Sequence, residues 1–168
     1  ERYERYQATI RFINHDYGNL LEFARAHEHY GIHFDYFRKG WVYREWAPKA
    51  NNLFLMGDFN HWNRYSHPLK KGPRGDWEIF LPFDEYNNSF IHQSKVKVHI
   101  EGENGALDRI PAYIRMVIQD EATHDFTGQL WFPEKPYVWT DQGFDPSPNL
   151  LQPLIYECHV GMAQEKLG

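Results

Sequence analysis

The chain has 168 residues, with 18 Lys and Arg against 23 Asp and Glu and a formal net charge of −5. That balance leaves no basic footprint for nucleic acid, and no apolar run approaches the roughly 18 residues that cross a membrane as a helix. The length suits one domain of about 100–150 residues with an appendage, and a single cysteine, Cys158, excludes an internal disulfide framework and fits a reducing, cytoplasmic compartment.

Residues 1–31 read as a helical segment. Tyr3, Tyr6, Ile10 and Ile13 recur at helical steps with Arg and Glu between them, which describes an amphipathic stripe. His15-Asp16-Tyr17-Gly18-Asn19 interrupts it with a turn glycine and an Asn able to cap a second short helix through Leu20, Phe23, Ala24 and His27, ending near Gly31.

From residue 32 to about 125 the period changes to two. Val42, Arg44 and Trp46 alternate with Trp41, Tyr43 and Glu45; Trp77, Ile79 and Leu81 alternate with Glu78 and Phe80; Val96, Val98 and Ile100 alternate with Lys95, Lys97 and His99. Asn51-Asn52, Gly57-Asp58, Gly72-Pro73, Asn87-Asn88 and the Gly102 to Gly105 stretch read as turns. Short strands between turns predict a mainly β fold, an antiparallel Ig-like β-sandwich.

Residues 126–153, with five prolines, read as a stiff irregular connector. The apolar run Leu154 to Val160 then suits a strand buried on both faces, as in a parallel sheet or barrel. A lone strand of that kind has no partner in a sandwich. Together with an opening at Glu1 rather than Met, it leads to the expectation that residues 154–168 are the truncated first strand of a further domain. Without that domain, its apolar edge is expected to pack poorly or to pair with a neighbouring molecule.

Aromatic residues are abundant, with 12 Phe, 11 Tyr and 6 Trp, and they suit both a pleated core and flat platforms for sugar rings. Two motifs concentrate them: Glu45-Trp46-Ala47-Pro48, and Gly57-Asp58-Phe59-Asn60 with Trp62. Trp46 and Trp62 are candidates for rigid stacking surfaces. Composition alone favours the core for both, since Trp is heavily buried on average.

The order EWAP, then L-x-GDFN-x-W, then Gly75-Asp76-Trp77-Glu78, then a Lys-Val-Lys-Val strand resembles the amino-terminal part of the 1,4-α-glucan branching enzymes. In that family a helical segment precedes a carbohydrate-binding module of family 48. Ile155-Tyr156-Glu157-Cys158-His159-Val160-Gly161 resembles the opening strand of a glycoside hydrolase family 13 barrel. The resemblance implies cleavage of an α-1,4-glucan and retaining transfer of the severed chain to a 6-hydroxyl. That chemistry needs a carboxylate nucleophile and a carboxylic acid about 5–5.5 Å apart. The family carries both on later barrel strands, so no catalytic residue is expected here, and Glu157 is expected to be a buried structural carboxylate.

What the resemblance leaves to this chain is binding of α-1,4-glucan in a crevice between the helical segment and the sandwich. By position it implies Trp46, Pro48, Gly75 and Asp76 on the sandwich side and Asp16 and Tyr17 on the helical side. Arg74 and Asp76 depart from the commoner aromatic and basic types there. A second face, typical of kinase-type glycogen-binding modules, is matched by Trp62 and Lys97, while Leu107 stands near the position of its second Trp. The missing catalytic barrel is the partner expected in cis. Rival readings are the front end of a debranching or trehalose-releasing enzyme, a glycogen sensor, or a protein-interaction sandwich.

His27, His29 and His33 are close enough in sequence to raise a metal site, but they sit at an expected helix end without a Cys and read as solvated or capping residues. His159 reads as scaffold and Cys158 as an inert core thiol. No metal and no cofactor are expected.

Overall fold

The computed structural model describes residues 1–143 and Glu157. Residues Glu1–Glu134 form one compact unit and Lys135–Gly168 a second. The first unit begins with α1 (Arg2–Tyr17), which Gly18 ends at φ +83° with its N–H on the Asn14 carbonyl. That left-handed geometry favours glycine. Asn19 then caps α2 (Leu20–Phe23), its side chain accepting from the Glu22 N–H at 3.0 Å.

Two expectations for this segment are corrected. Of the α1 stripe only Ile13 is buried, at 4% exposure, while Tyr3 and Tyr6 stand in solvent. A single-turn neighbour cannot cover four turns of helix, and α2 is only four residues long. The second helix is also split: α2 ends at Phe23, and a separate turn, α3 (Ala26–His29), follows.

The strands run β1 (Gly31–Asp35), β2 (Gly40–Trp46), β3 (Ala50–Gly57), β4 (Lys70–Lys71) and β5 (Asp76–Pro82). A short helical turn, α4 (Phe83–Tyr86), precedes β6 (Lys95–Gly102), β7 (Gly105–Arg109), β8 (Met116–Gln119) and β9 (Phe126–Gln129). One sheet has the order β1-β2-β5-β4. The other has the order β3-β6-β9-β8, with β7 also on β6. All pairings among the described residues are antiparallel.

The inner faces follow the two-residue period. Trp41, Tyr43, Trp77 and Leu81 from the first sheet meet Leu53, Leu55, Val96 and Val98 from the second in one core, which Phe59, Phe90 and Leu130 extend. The sandwich architecture expected from the alternation is therefore present. Two local expectations change. Asn51-Asn52 is not a turn but lies inside β3, where the register with β6 shifts between Ala50 and Asn52. Phe126–Gln129, expected to open the connector, is β9, because Thr127 and Gly128 pair with β8 and Gly128 also meets Val96 of β6. The strand hides in a proline-rich stretch because its prolines start only at Pro133.

In the second unit Tyr137 and Trp139 are exposed, with their rings edge-to-face at 5.0 Å. Glu157 is exposed in this chain; the burial expected for it was within a barrel. The rest of the expected barrel strand, with Cys158 and His159, lies outside the described residues.

Candidate functional site: a tryptophan corner at the end of the first sheet

The end of β2 and the start of β5 lie side by side, with Trp46 opposite Asp76 and Glu45 opposite Trp77. Strand alternation sends Glu45 inward and Trp46 outward. Glu45 is buried, and its Oε2 accepts the Tyr43 hydroxyl and the Ala112 N–H, each at 2.8 Å, while Oε1 accepts the Trp46 N–H at 3.2 Å. A buried carboxylate satisfied on both oxygens is a firm anchor for the next residue. The Trp46 ring is 60% exposed, and its indole N–H donates to the Arg74 carbonyl at 3.2 Å. Composition had favoured the core for this side chain. The tryptophans that fill the core are Trp41 and Trp77, each 4% exposed.

Behind the ring, Ala47 and Pro48 form a corner against the 72–75 turn. The Ala47 N–H donates to the Gly75 carbonyl at 3.0 Å, and the Trp77 indole N–H donates to the Ala47 carbonyl at 2.9 Å. Gly75 has φ +82°, and a Cβ on it would stand 2.6 Å from the Pro48 Cβ. Only glycine fits that approach. The motif is thus a scaffold in which Glu45, Ala47 and Pro48 hold Trp46 outward.

The helical segment meets this corner through charge and hydroxyl contacts. Asp16, in the last turn of α1, lies 3.4 Å from the Arg74 guanidinium. Tyr17 packs edge-to-face with Phe12 and Phe23. The Tyr30 hydroxyl donates to the Asp76 Oδ1 at 3.0 Å, and its ring stacks on Tyr113. Burial, reinforced by the Asp76 hydrogen bond and charge and by the nearby Tyr17, pushes the Tyr30 phenol up to about 12. The hydroxyl therefore stays a donor at any physiological pH.

The structure ties Trp46, Pro48, Gly75 and Asp76 into one corner, and Arg74 ties Asp16 to it. Tyr30 and Tyr113 were not singled out from sequence; Tyr30, just before the period-two region, was the readable one. Arg74 was read as a departure from the commoner type, and its backbone and side chain each carry a contact.

Trp62 and Lys97 belong to the other sheet. Gly57 closes β3 where a Cβ would meet the Lys95 carbonyl at 2.1 Å. Asp58 accepts the Lys95 N–H at 2.8 Å and the Trp62 indole N–H at 3.1 Å. Asn60 accepts the Gly57 N–H at 2.9 Å and donates to the Leu55 carbonyl at 3.2 Å. Trp62 is 37% exposed beside a cleft of about 310 Å³ that Lys97, Arg64, Asp108 and Asp125 also line. The Lys97 ammonium pairs with Asp125 at 3.1 Å. Leu107 is exposed on β7 and does not line this cleft among the described residues.

The three neighbouring histidines are engaged locally. His33 bonds to the Tyr30 carbonyl at 2.8 Å, the His29 ring meets Tyr30 edge-on, and His27 is exposed beside Glu28. Among the described residues no three His, Cys, Asp or Glu side chains are grouped to hold a metal. No helix among them is long and apolar enough to cross a membrane.

Residues 29–114 match the family Carbohydrate-binding module 48 (isoamylase N-terminal domain). The chain belongs to this family. Among its relatives, a 1,4-alpha-glucan-branching enzyme of Dictyostelium discoideum is 39% identical over 166 residues, covering 98% of this chain and 24% of that protein. One from Equus caballus is 35% identical over 169 residues, covering 98% and 23%. The 1,4-alpha-glucan-branching enzyme 2-2, chloroplastic/amyloplastic, of Arabidopsis thaliana is 37% identical over 166 residues, covering 96% and 20%. The chain spans about a quarter of the length of these curated relatives.

The module 48 match includes Trp46, Pro48, Gly75 and Asp76 but not Asp16 or Tyr17. The Asp16–Arg74 ion pair therefore joins the module 48 match to the helix before it. β8 and β9 complete the second sheet beyond residue 114.

Proposed function

We propose that this module 48 chain binds α-1,4-glucan at the Trp46 corner as the non-catalytic amino-terminal part of a 1,4-α-glucan branching enzyme in glycogen synthesis. The observation that carries the reading is the Trp46 ring, exposed yet fixed by the Arg74 carbonyl beside Pro48, Gly75 and Asp76. A rigid aromatic face stacks on a pyranose ring with little ordering lost on binding. The names of the relatives support the branching reaction over debranching or trehalose-releasing chemistry. In this reading residues 1–31 are the helical wall, 32–125 the body of the module, 126–153 the connector, and 154–168 the start of a family 13 barrel that acts in cis. The chain alone is inactive, because both catalytic carboxylates belong to that barrel. The compartment is cytoplasmic, or a plastid where the parent is a plant-type enzyme.

One Trp face buries at most about 150–250 Å², a gross gain of a few kcal/mol at ~25 cal/mol/Å². After ordering costs, a dissociation constant on the order of millimolar follows, near −4 kcal/mol, and many chain ends on one glycogen particle raise the apparent affinity.

A second reading places glucan on the Trp62 and Lys97 face, favoured by the cleft there. Titration with maltoheptaose, followed by tryptophan fluorescence and amide shifts, separates the two. Saturable shifts lost in Trp46→Ala support the corner. Shifts that survive Trp46→Ala and vanish in Trp62→Ala move binding to the other face. No shift at tens of millimolar sugar rejects both.

A further inference from the structure

The outer face of the first sheet carries a cleft of about 530 Å³ that begins at Asp76. Its lining alternates with the core residues: Asp76 and Glu78 of β5 face outward with Arg44 of β2, Lys70 of β4 lies opposite Glu78, and Arg38 and His29 close the rim. The volume is in the range of small-ligand sites, and Asp76 is shared with the Trp46 corner.

Glu78 is the carboxylate on which the two guanidiniums of this cleft converge. Arg44 Nε donates to Glu78 Oε2 at 2.6 Å, and Arg38 Nη1 donates to Glu78 Oε1 at 3.1 Å. Arg38 also lies over the Phe80 ring at 4.1 Å, which closes that ring to stacking. Lys71 is turned away, onto the Ala50 carbonyl at 2.8 Å. Arg38, Arg44, Lys70 and Lys71 stand against Asp76 and Glu78, so the cleft carries an excess of positive charge even with two guanidiniums on one carboxylate. Each guanidinium carries five N–H donors in a fixed fork, and most of them remain for a ligand. The leftover guanidinium donors beside the carboxylate lone pairs of Asp76 and Glu78 fit a polyol, whose adjacent hydroxyls both give and accept.

We infer that the cleft over Arg38, Arg44, Lys70 and Glu78 is an extension of the Trp46 corner, taking by hydrogen bonding the sugar units that continue past Asp76. This rests on the glucan reading of the corner and adds a length requirement to it. Short oligosaccharides occupy the corner alone. Longer ones cross Asp76 and lie along the outer face of the sheet, where successive outward residues of a strand are about 7 Å apart.

The test compares maltotriose and maltoheptaose on the intact chain and on the variants Arg38→Ala and Lys70→Ala, with amide shifts as a second readout. A longer sugar offers more registers on a single aromatic face, so a gain of a few-fold survives in every variant. The inference requires more: about a tenfold preference for maltoheptaose in the wild type, falling to the few-fold level in the Arg38→Ala, Lys70→Ala double variant, with maltotriose affinity unchanged. It also requires the Glu78 and Phe80 amides to move with maltoheptaose and not with maltotriose. Equal preference in wild type and double variant, with those amides still, overturns the extension while leaving the corner intact. Loss of all binding in the wild type overturns the corner itself, and the extension with it.

Discussion

The Asp16 carboxylate of α1 lies 3.4 Å from the guanidinium of Arg74, so one ion pair ties the helical segment to the turn that also holds Trp46. Arg74 is the hinge of this arrangement: its side chain faces the helix and its carbonyl faces the indole.

Asp16→Asn removes the charge from that pair. The Arg74 side chain is largely exposed, so the stability lost is small, about 0.2–1 kcal/mol, and screened by salt. The expected signature is local. Amide exchange in the last turns of α1 speeds up while the β6 amides stay protected, and raising the salt brings the wild type toward the variant. Equal protection of α1 in both proteins at low salt contradicts the tether.

Tyr30 gives a pH prediction. Its phenol titrates near 10 in the unfolded chain and is raised to about 12 in the fold by burial first and by Asp76 second. Between those values the unfolded chain has lost a proton that the folded chain keeps, so stability falls as pH rises. Tyr30→Phe is expected to flatten that fall, measured by urea unfolding at several values between about pH 9 and 12. Tyr43, pushed up more strongly by burial and by the Glu45 charge, keeps a residual slope in the variant. An unchanged profile counts against the Tyr30 assignment.

Glu45→Gln tests the anchor. A glutamine has one acceptor oxygen, so either the Trp46 N–H or the Ala112 N–H is left facing an amide donor. The expected loss is about 1–3 kcal/mol by denaturant titration. The Trp46 emission should shift as the ring loses its fixed seat. A variant as stable as wild type shows that water can replace the carboxylate.

Gly75→Ala adds a Cβ at φ +82°, placed 2.6 Å from the Pro48 Cβ. The backbone strain alone is worth about 1–2 kcal/mol, and the clash pushes Pro48 away from the turn. Lower stability together with weaker maltoheptaose binding is expected. Unaltered unfolding with unaltered binding rejects the close approach.

Strand parity was legible and its meaning was not. The alternation in 41–46 correctly separated Trp41, Tyr43 and Glu45 from Val42, Arg44 and Trp46. Choosing which set faces inward required knowing that Glu45 is satisfied by Tyr43 and by Ala112, a residue 67 positions away. Without that partner, a face containing a carboxylate looks like the solvent side, and an average Trp looks like core. Asn19 was readable as a cap because its partner, Glu22, is local. β9 was not, since four residues with a central glycine carry too little period, and they are held by β8 on one side and by β6, some thirty residues earlier, on the other. The α1 stripe was read correctly as apolar, but periodicity cannot say whether anything lies opposite it.

The Trp46 indole has already given its hydrogen to Arg74, and this limits what the ring can distinguish. A flat partner meets only a π-face, which favours any apolar sugar face and is indifferent to the direction in which a chain runs across it. Directional choice falls instead to the groups that border the ring, chiefly the Asp76 carboxylate. In the proposed glucan reading the platform is therefore permissive and its border selective, and altering the border is the way to retune what the corner accepts.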